Sequence, residues 1–538
     1  MIGLDLSPRQ PPTSATASPQ PLAQFFAPAA GQSVALAEAA DNSLSIWTEV
    51  GPDHAAWLRL DNDDPTTRLS WRETLIAQLR NIYPVGDMTL SSGWSQLQSS
   101  GSGLAGSYTG NRAISTSSLT ATTTVVVDRE QTYDLWIHYT GRSNGGYARV
   151  DIDGAQDLVT EIDDPAGLGF KAFSTYSETD LQRRLSVKVA TGLSGMHTIT
   201  ISNGGPATPG GNAILIEAVA ISGTLSDSKI LPPLWQPGTA YEMGDEVQFR
   251  GRYYAARGTG TSGTNGPVHT NGIASDGALD WRVDNRPTYP RFVAIDYASE
   301  REYAMRVTVD GNPTEIGGQT HGNEVLQTQT VLLDGVSWVP ETNGNGLSVG
   351  QQVTLVEELG WQTGVGTAIA DCELTRTITP GVVSHTVSAT GTGADAVYEW
   401  LYAGMLPMVA WDGESRSDVI AMLEAAGHAR IDLGTYAGTN PPNIDFADVQ
   451  RVGITGEVPG GELTYGLEAA ASPVQGNIIN QFDTFLRPNL NATEPGGSSD
   501  WQAKAYVTGD LGDGLTLSAG DTLAFFNRHV LRVDPGTI

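Results

Sequence analysis

The 538-residue sequence has a single cysteine, Cys372, so no intrachain disulfide can staple the fold. Positive charge is scarce as well. Lys and Arg total 30 against 60 Asp and Glu, and the resulting net charge of −30 argues against nucleic acid as a partner. Charged residues of both signs make up 17% of the chain, below the roughly 25% usual in soluble proteins, so much of the surface must be polar but uncharged. No stretch approaches the roughly 20 apolar residues of a membrane-spanning helix. Residues 1–30 also lack the basic and apolar segments of a secretory signal. The chain is therefore expected to fold in water without membrane insertion. It has no heptad pattern that would fix an oligomeric state.

What is abundant is Gly, at 63, and Pro, at 29. With plentiful Ser, Thr and Asn, this is the composition of many short strands joined by tight turns, and it predicts an all-β, multidomain protein. At roughly 100–200 residues per domain, the length predicts three to five units. Residues 1–45 read as an extended assembly arm. They are too rich in Pro, Ala and Ser to pack a core, yet they carry the apolar pair Phe25 and Phe26. Residues 46–88 read as a collar containing a helix. Ser70 and Glu73 form a capping box, Leu75, Ile76, Leu79 and Tyr83 share a face, and Pro84 is the stop. The run Asn-Asp-Asp before Pro65 lacks the spacing of an EF-hand and reads as a turn.

Residues 89–228 read strand upon strand, separated by Gly, Asn and Asp turns. A strand from Tyr133 to Tyr139, another closed by Asp153 and Gly154, and a third from Gly195 to Ile201 follow one another. In that order they resemble the jelly-roll carbohydrate-binding modules.

Residues 234–286 form a compact aromatic unit whose short strands are bounded by Gly244-Asp245 and Arg250-Gly251. About 50 residues bury little surface, so its six large aromatics must supply part of the core. Any ring left in water offers a flat face to a sugar. Trp235, Tyr241, Gly244, Asp245, Val247, Gly251, Tyr254, Ala256 and Trp281 stand in a spelling that resembles the chitin- and cellulose-type binding modules of glycosidases. The Gly- and Thr-rich loop between Ala256 and Trp281 is longer than in those modules and resembles loops of phage fibre and tail proteins. The resemblance implies a sugar face on Trp235, Tyr241 and Trp281, with Tyr253 or Tyr254 alternating inward and outward.

Residues 290–538 alternate with period two and read as a large β-sandwich, with one helix expected from Ser417 to Ala426. The sharpest chemical motif is His321-Gly-Asn-Glu324, whose His-x-x-Glu spacing resembles the zinc ligands of carboxypeptidase-type enzymes; His385 would be the third ligand. The helix that should follow is missing, because the next residues alternate as a strand, and no general base accompanies the motif. Zinc is thus not expected, although a structural calcium is compatible with such sandwiches. Asp371 and Glu373, flanking Cys372, share a strand face but read as a solvated rim. Ser415 lacks the second Gly of a nucleophile elbow.

The order of arm, collar, jelly roll, aromatic module and terminal sandwich resembles the head-spike and tail-fibre proteins of phages and gene transfer agents. That resemblance implies a non-enzymatic protein made in the bacterial cytoplasm and carried on a particle surface as a homo-oligomer. Its arm would hold other particle proteins, and its distal parts would bind host surface polysaccharide. The alternatives are a polysaccharide depolymerase, a zinc hydrolase and a purely structural decoration.

Overall fold

The computed structural model describes residues 33–535 apart from positions 39–42, 63–65, 99–111, 166, 179–181, 208–209, 226–231, 251, 285–292, 296–300, 319–322, 341–345, 408–409, 412–415, 418–421, 426–430, 433–443, 447–450, 459–460, 476, 480, 488–503 and 511–514. The fold is all-β and multidomain: beside one 3-10 turn at Val85–Asp87, the named elements of the described residues are strands.

The largest unit is built from three sheets. The first is eight-stranded and centres on Val34–Glu38, Leu44–Gly51, His54–Asp61 and Ser70–Gln78. The short strands Val293–Ile295 and Ser348–Gly350 extend it at its two sides. The second is seven-stranded, around Ala304–Val309, Ala396–Pro407 and Lys504–Asp510. The third is ten-stranded and runs from Val336–Ser337 through Glu324–Leu333, Val353–Gln362, Ala368–Thr379, Val382–Gly391 and Thr522–Pro535 to Gly461–Ala471 and beyond. A single hydrophobic core joins all three, with Ile46, Leu58 and Trp71 from the first sheet, Met305 and Leu401 from the second, and Leu374 and Phe525 from the third.

This core corrects the expected domain boundaries. Residues 34–78 are neither arm nor collar but one wall of the large sandwich, and the jelly roll and aromatic module are inserted between that wall and the rest. The rest of the expected arm, residues 1–32 with Phe25 and Phe26, lies outside the described residues.

The helix expected at 70–83 is also overturned. Ser70–Gln78 and Arg80–Pro84 are strands. Ile76 packs into the three-sheet core while Leu75 and Ala77 pack against the opposite face. A strand covered on both faces reads as a near-continuous apolar run, which local periodicity does not distinguish from a helix. In the helix expected from Ser417 the described residues are strand: Arg416–Ser417 pairs with Ala410–Trp411 and Met422–Ala425 with Arg451–Val458, while 418–421 and 426 lie outside the described residues.

The jelly roll occupies residues 80–222 in a nine-stranded arrangement. Its backbone is two long strands, Thr122–Gly141 and Gln182–Pro206, paired to each other through several register shifts. The shifts let both strands bend through the sandwich, as bulges do elsewhere. Asp153 and Gly154, both at positive φ, close the turn after Gly146–Ile152. The core is its own, including Ile114, Val127, Tyr133, Val150 and Ile199. Entrance and exit are neighbours, because Arg80 pairs with Ser222 and the Gly223 N–H donates to the Leu79 carbonyl at 3.0 Å.

Two fragments test this arrangement. Residues 80–225, with a closed core and adjoining ends, are expected to unfold cooperatively on heating. Residues 290–538, stripped of the wall that covers Tyr303 and Met305, are expected to give no cooperative transition by near-ultraviolet circular dichroism. A sharp transition in the second fragment would restore the separate terminal domain.

Candidate functional site

The aromatic module does not present the expected sugar face. Trp235, Tyr241, Tyr254 and Trp281 make up its core with Val247 and Leu279, and Trp281 is fully buried. The rings pack edge to face, with Trp235 against Phe249 and Tyr241 against Trp281 at centroid distances of 5.0 and 5.1 Å. Tyr253 points the other way, as strand parity requires, and docks on the back of the eight-stranded sheet beside Trp47, Trp57 and Leu75. Burial there pushes its phenol up to about 12. The long loop covers what remains: Gly266 lies so close to Phe249 that a Cβ would meet the ring at 2.6 Å, and Tyr254 donates to the His269 carbonyl at 3.0 Å. A unit this small has too few aliphatic residues for a core, so its aromatics fill it. Trp281→Ala is expected to unfold the module, at a cost of about 3–5 kcal/mol, read as a separate low-temperature transition in calorimetry. Unchanged stability would reopen the sugar-face reading.

Of the three candidate zinc ligands, Glu324 and His385 are among the described residues. His321 lies outside the described residues. Glu324 accepts from Arg68 Nε at 2.8 Å and from the Tyr303 hydroxyl, so both its oxygens are engaged. His385 is buried and bonded to Asn527 at 2.7 Å. Among the described residues no group of His, Cys, Asp and Glu is placed to hold a metal ion. Cys372 is buried, as expected of a spectator thiol, and burial raises its pKa well above the ordinary value.

Glu324 and His385 instead belong to a buried charged junction where the three sheets meet. Glu302 Oε1 accepts from the Trp71 N–H at 2.6 Å and lies 3.4 and 3.3 Å from Arg68 and Arg376. Arg376 also holds Glu357 at 2.5 Å, and Glu357 Oε1 takes the Leu69 N–H and Gln329 Nε2, each at 2.9 Å. Burial alone would raise the Glu302 carboxyl; the two guanidinium groups overcome it and hold the group at about 2. His385 and His529 pack around Trp71, and burial lowers both: His385 to about 4, His529 well below the ordinary range. His138, facing Arg80 at 3.4 Å where the jelly roll joins the large sandwich, is lowered well below it by burial too.

These shifts set an acid limit. Between pH about 6.5 and 4 the unfolded chain binds a proton at His385 that the native state refuses, so stability falls with pH there, by about 3 kcal/mol across the window. The contribution of Glu302 is complete above its unfolded value of 4.5 and is lost as pH falls toward about 2. The urea midpoint is thus expected to be level from pH 8 to 7 and to fall steadily below about 6.5. A midpoint unchanged from pH 7 to 5 would contradict neutral buried histidines.

The exposed polar and aromatic shelf lies on the jelly roll, on the outer face of Gly146–Ile152 and its neighbours. Alternation sends Ala148 and Val150 into the core and leaves Tyr147 and Arg149 half-buried on the outside. Arg149 grips Asp151 with two bonds, Nε to Oδ2 at 2.9 Å and Nη2 to Oδ1 at 2.8 Å, and its guanidinium lies 5.3 Å from the centre of the Phe170 ring. Gly204 permits this: a Cβ there would meet Phe170 at 2.9 Å and Tyr147 at 3.3 Å. Alongside run Thr200 and Ser202, then Thr122 and Thr124, in register with Asp151 and Arg149. The shelf thus has an aromatic margin, a neutralised charge pair and a floor of hydroxyls. Sequence reading missed Tyr147 and Phe170 because attention to aromatic density favoured the small module. The available signal was alternation: Tyr147, Arg149 and Asp151 are the polar-edged positions interleaved with Ala148, Val150 and Ile152.

No family model matches the chain, and no curated protein matches it. Solved structures similar in part include the Agl-KA catalytic domain, at 13% identity and TM-score 0.19 over 31% of this chain and 30% of that one. A putative aldose 1-epimerase from Escherichia coli K12 is 14% identical at TM-score 0.21 over 44% and 82%. The Slr1438 protein from Synechocystis sp. PCC 6803 is 8% identical at TM-score 0.20 over 56% and 98%. Scores this low assign neither fold family nor activity.

Proposed function

We propose that this chain is a non-catalytic attachment protein of a phage-like particle, binding host surface polysaccharide through the outer face of its inserted jelly roll. The observation that carries the reading is the shelf of Tyr147 and Phe170 beside the Arg149–Asp151 pair and the Thr and Ser rows. Ring faces take the C–H face of a pyranose, and fixed polar groups orient its hydroxyls. The resemblance of strands 133–139, 146–154 and 195–201 to carbohydrate-binding modules supports the same surface. Residues 1–32 would fasten the protein to the particle, and several copies would turn weak contacts into firm attachment. A hydrolase reading has less support, because Glu324 and Glu357 are engaged at both oxygens and Glu302 is gripped by two guanidinium groups at the buried junction.

The test is retention of fragment 80–225 on recipient cells or their purified polysaccharide. Tyr147→Ala and Phe170→Ala are each expected to weaken retention about tenfold, equivalent to about 1.4 kcal/mol, with the unfolding temperature nearly unchanged. Equal retention of both variants and the parent fragment would remove the Tyr147–Phe170 shelf from attachment, and no retention of the parent fragment would remove the jelly roll. Release of reducing ends from the polysaccharide would favour the depolymerase reading.

A further inference from the structure

The hydrogen bonds of the three-sheet junction do not close among its own side chains, and the mismatch has a pattern. Asn527 Nδ2 donates to the carbonyls of Glu302 and Ala403, at 2.5 and 2.6 Å, which uses both its hydrogens. Its Oδ1 must therefore be the acceptor toward His385, so His385 carries its proton on Nδ1 and a lone pair on Nε2. That Nε2 has no hydrogen-bond donor, and neither has Glu302 Oε2, although the Trp71 N–H and Arg376 Nη2 both donate to the other oxygen of the same carboxylate and Arg68 Nη1 lies 3.4 Å from it as an ion-pair partner without a hydrogen bond. On the opposite side of the count, Arg68 Nη1 and Nη2 and Arg376 Nε have no hydrogen-bond acceptor. All four residues are buried, with exposures of 2% or less. Each polar atom left unsatisfied in a core costs the desolvation of that group with nothing to offset it.

The chemistry selects the occupant. Two lone pairs need a donor and several N–H groups need an acceptor, so the bridging species must do both. An anion would satisfy Arg68 but face the Glu302 carboxylate and the His385 lone pair. A metal cation would sit against two guanidinium groups that already lie within 3.4 Å of the same carboxylate. A neutral hydroxylic molecule small enough for a sealed core meets both demands. We infer that the junction encloses a bound water, or a hydrogen-bonded pair of waters, accepting from Arg68 and donating to Glu302 Oε2 and His385 Nε2. Such waters typically make about three bonds to buried polar groups. The site thereby adds a solvent-borne link to the direct contacts that Arg68 already makes with Glu324 and Glu302. This inference stands apart from glycan binding.

The experiment is a high-resolution crystal structure of the full chain, with His385→Phe as its companion. Ordered solvent within hydrogen-bond distance of Arg68, Glu302 Oε2 and His385 Nε2 is the expected result. Direct protein contacts closing both lone pairs, or density at this point for an anion or a metal ion, would overturn it. In His385→Phe the solvent bridge is expected to be lost. Its persistence unchanged would remove His385 from the site. The parent structure decides the question if that variant does not fold.

Discussion

The structure turns on the carboxylate of Glu302. It accepts the Trp71 N–H of the first sheet, it stands two residues before Ala304, where a strand of the second begins, and it is held by Arg376 of the third. The Arg376 guanidinium completes the link, bonding the Leu69 carbonyl, Glu302 and Glu357 at once. A buried ion pair of this kind is weak evidence for net stability, since desolvation offsets most of the attraction, whereas removing one partner leaves a charge stranded in the core. Its physical consequence is therefore selectivity. Sheets packed through aliphatic side chains alone can slide, but a wall displaced by one residue here would separate Trp71 from Glu302 and Leu69 from Glu357 together. Around this point the histidines must remain neutral, because Arg68, Arg301 and Arg376 already fill the space with positive charge.

That junction also explains how the chain is organised. The first wall comes from residues 34–78, yet its partners Glu302, Glu324, Glu357 and Arg376 arrive more than 200 positions later. Such a closure would be fragile if the intervening chain were loose. The jelly roll resolves this by starting and ending at the same place: Arg80 and Ser222 are opposite one another, and Leu79 and Leu225 both enter the cluster behind the first wall. An insertion whose ends meet adds little to the effective length of the loop it interrupts, and loop-closure cost grows only slowly with length in any case. The aromatic module then acts as a fastening. Tyr253 covers Trp47 and Trp57 on the wall's outer face, so both faces of the same four strands are buried.

How much of this was legible in the sequence follows from range. Strand alternation is a local signal, and it revealed the all-β class, the strands of the jelly roll and the turn at Asp153 and Gly154. Burial on both faces is not local, and it turned Leu75 and Ile76 from opposite sides of a strand into one apparent helical face. The continuity of residues 34–78 with the terminal sandwich depends on pairings hundreds of residues apart, such as Val34 with Gly350 and Ile76 with Val293. No composition shift marks those. His385 and Glu324 were noticed as metal-type residues, but Arg68 and Tyr303, which occupy Glu324, are identified only by the fold. Aromatic density was legible in the module around Trp281, while its exposure was not.

The last point bears on where recognition can reside. An aromatic ring is both the densest core filler and the best sugar platform, and which role it takes depends on the supply of aliphatic residues around it. The small module has few, so its indoles and phenols turn inward. The jelly roll has an ample core of Val and Ile, among them Val125, Val127, Val150, Ile199 and Ile201, and can leave Tyr147 and Phe170 at its surface. The same surplus permits rows of Thr and Ser on the outer strand positions, where β-branched hydroxyls suit the pleat and present hydrogen-bonding groups without charge. On a chain with a net charge of −30, a neutral shelf is the kind of surface that approaches an uncharged polymer without long-range repulsion. The bidentate closure of Arg149 on Asp151 keeps it neutral: the only cation on that strand is already compensated by a carboxylate two residues away.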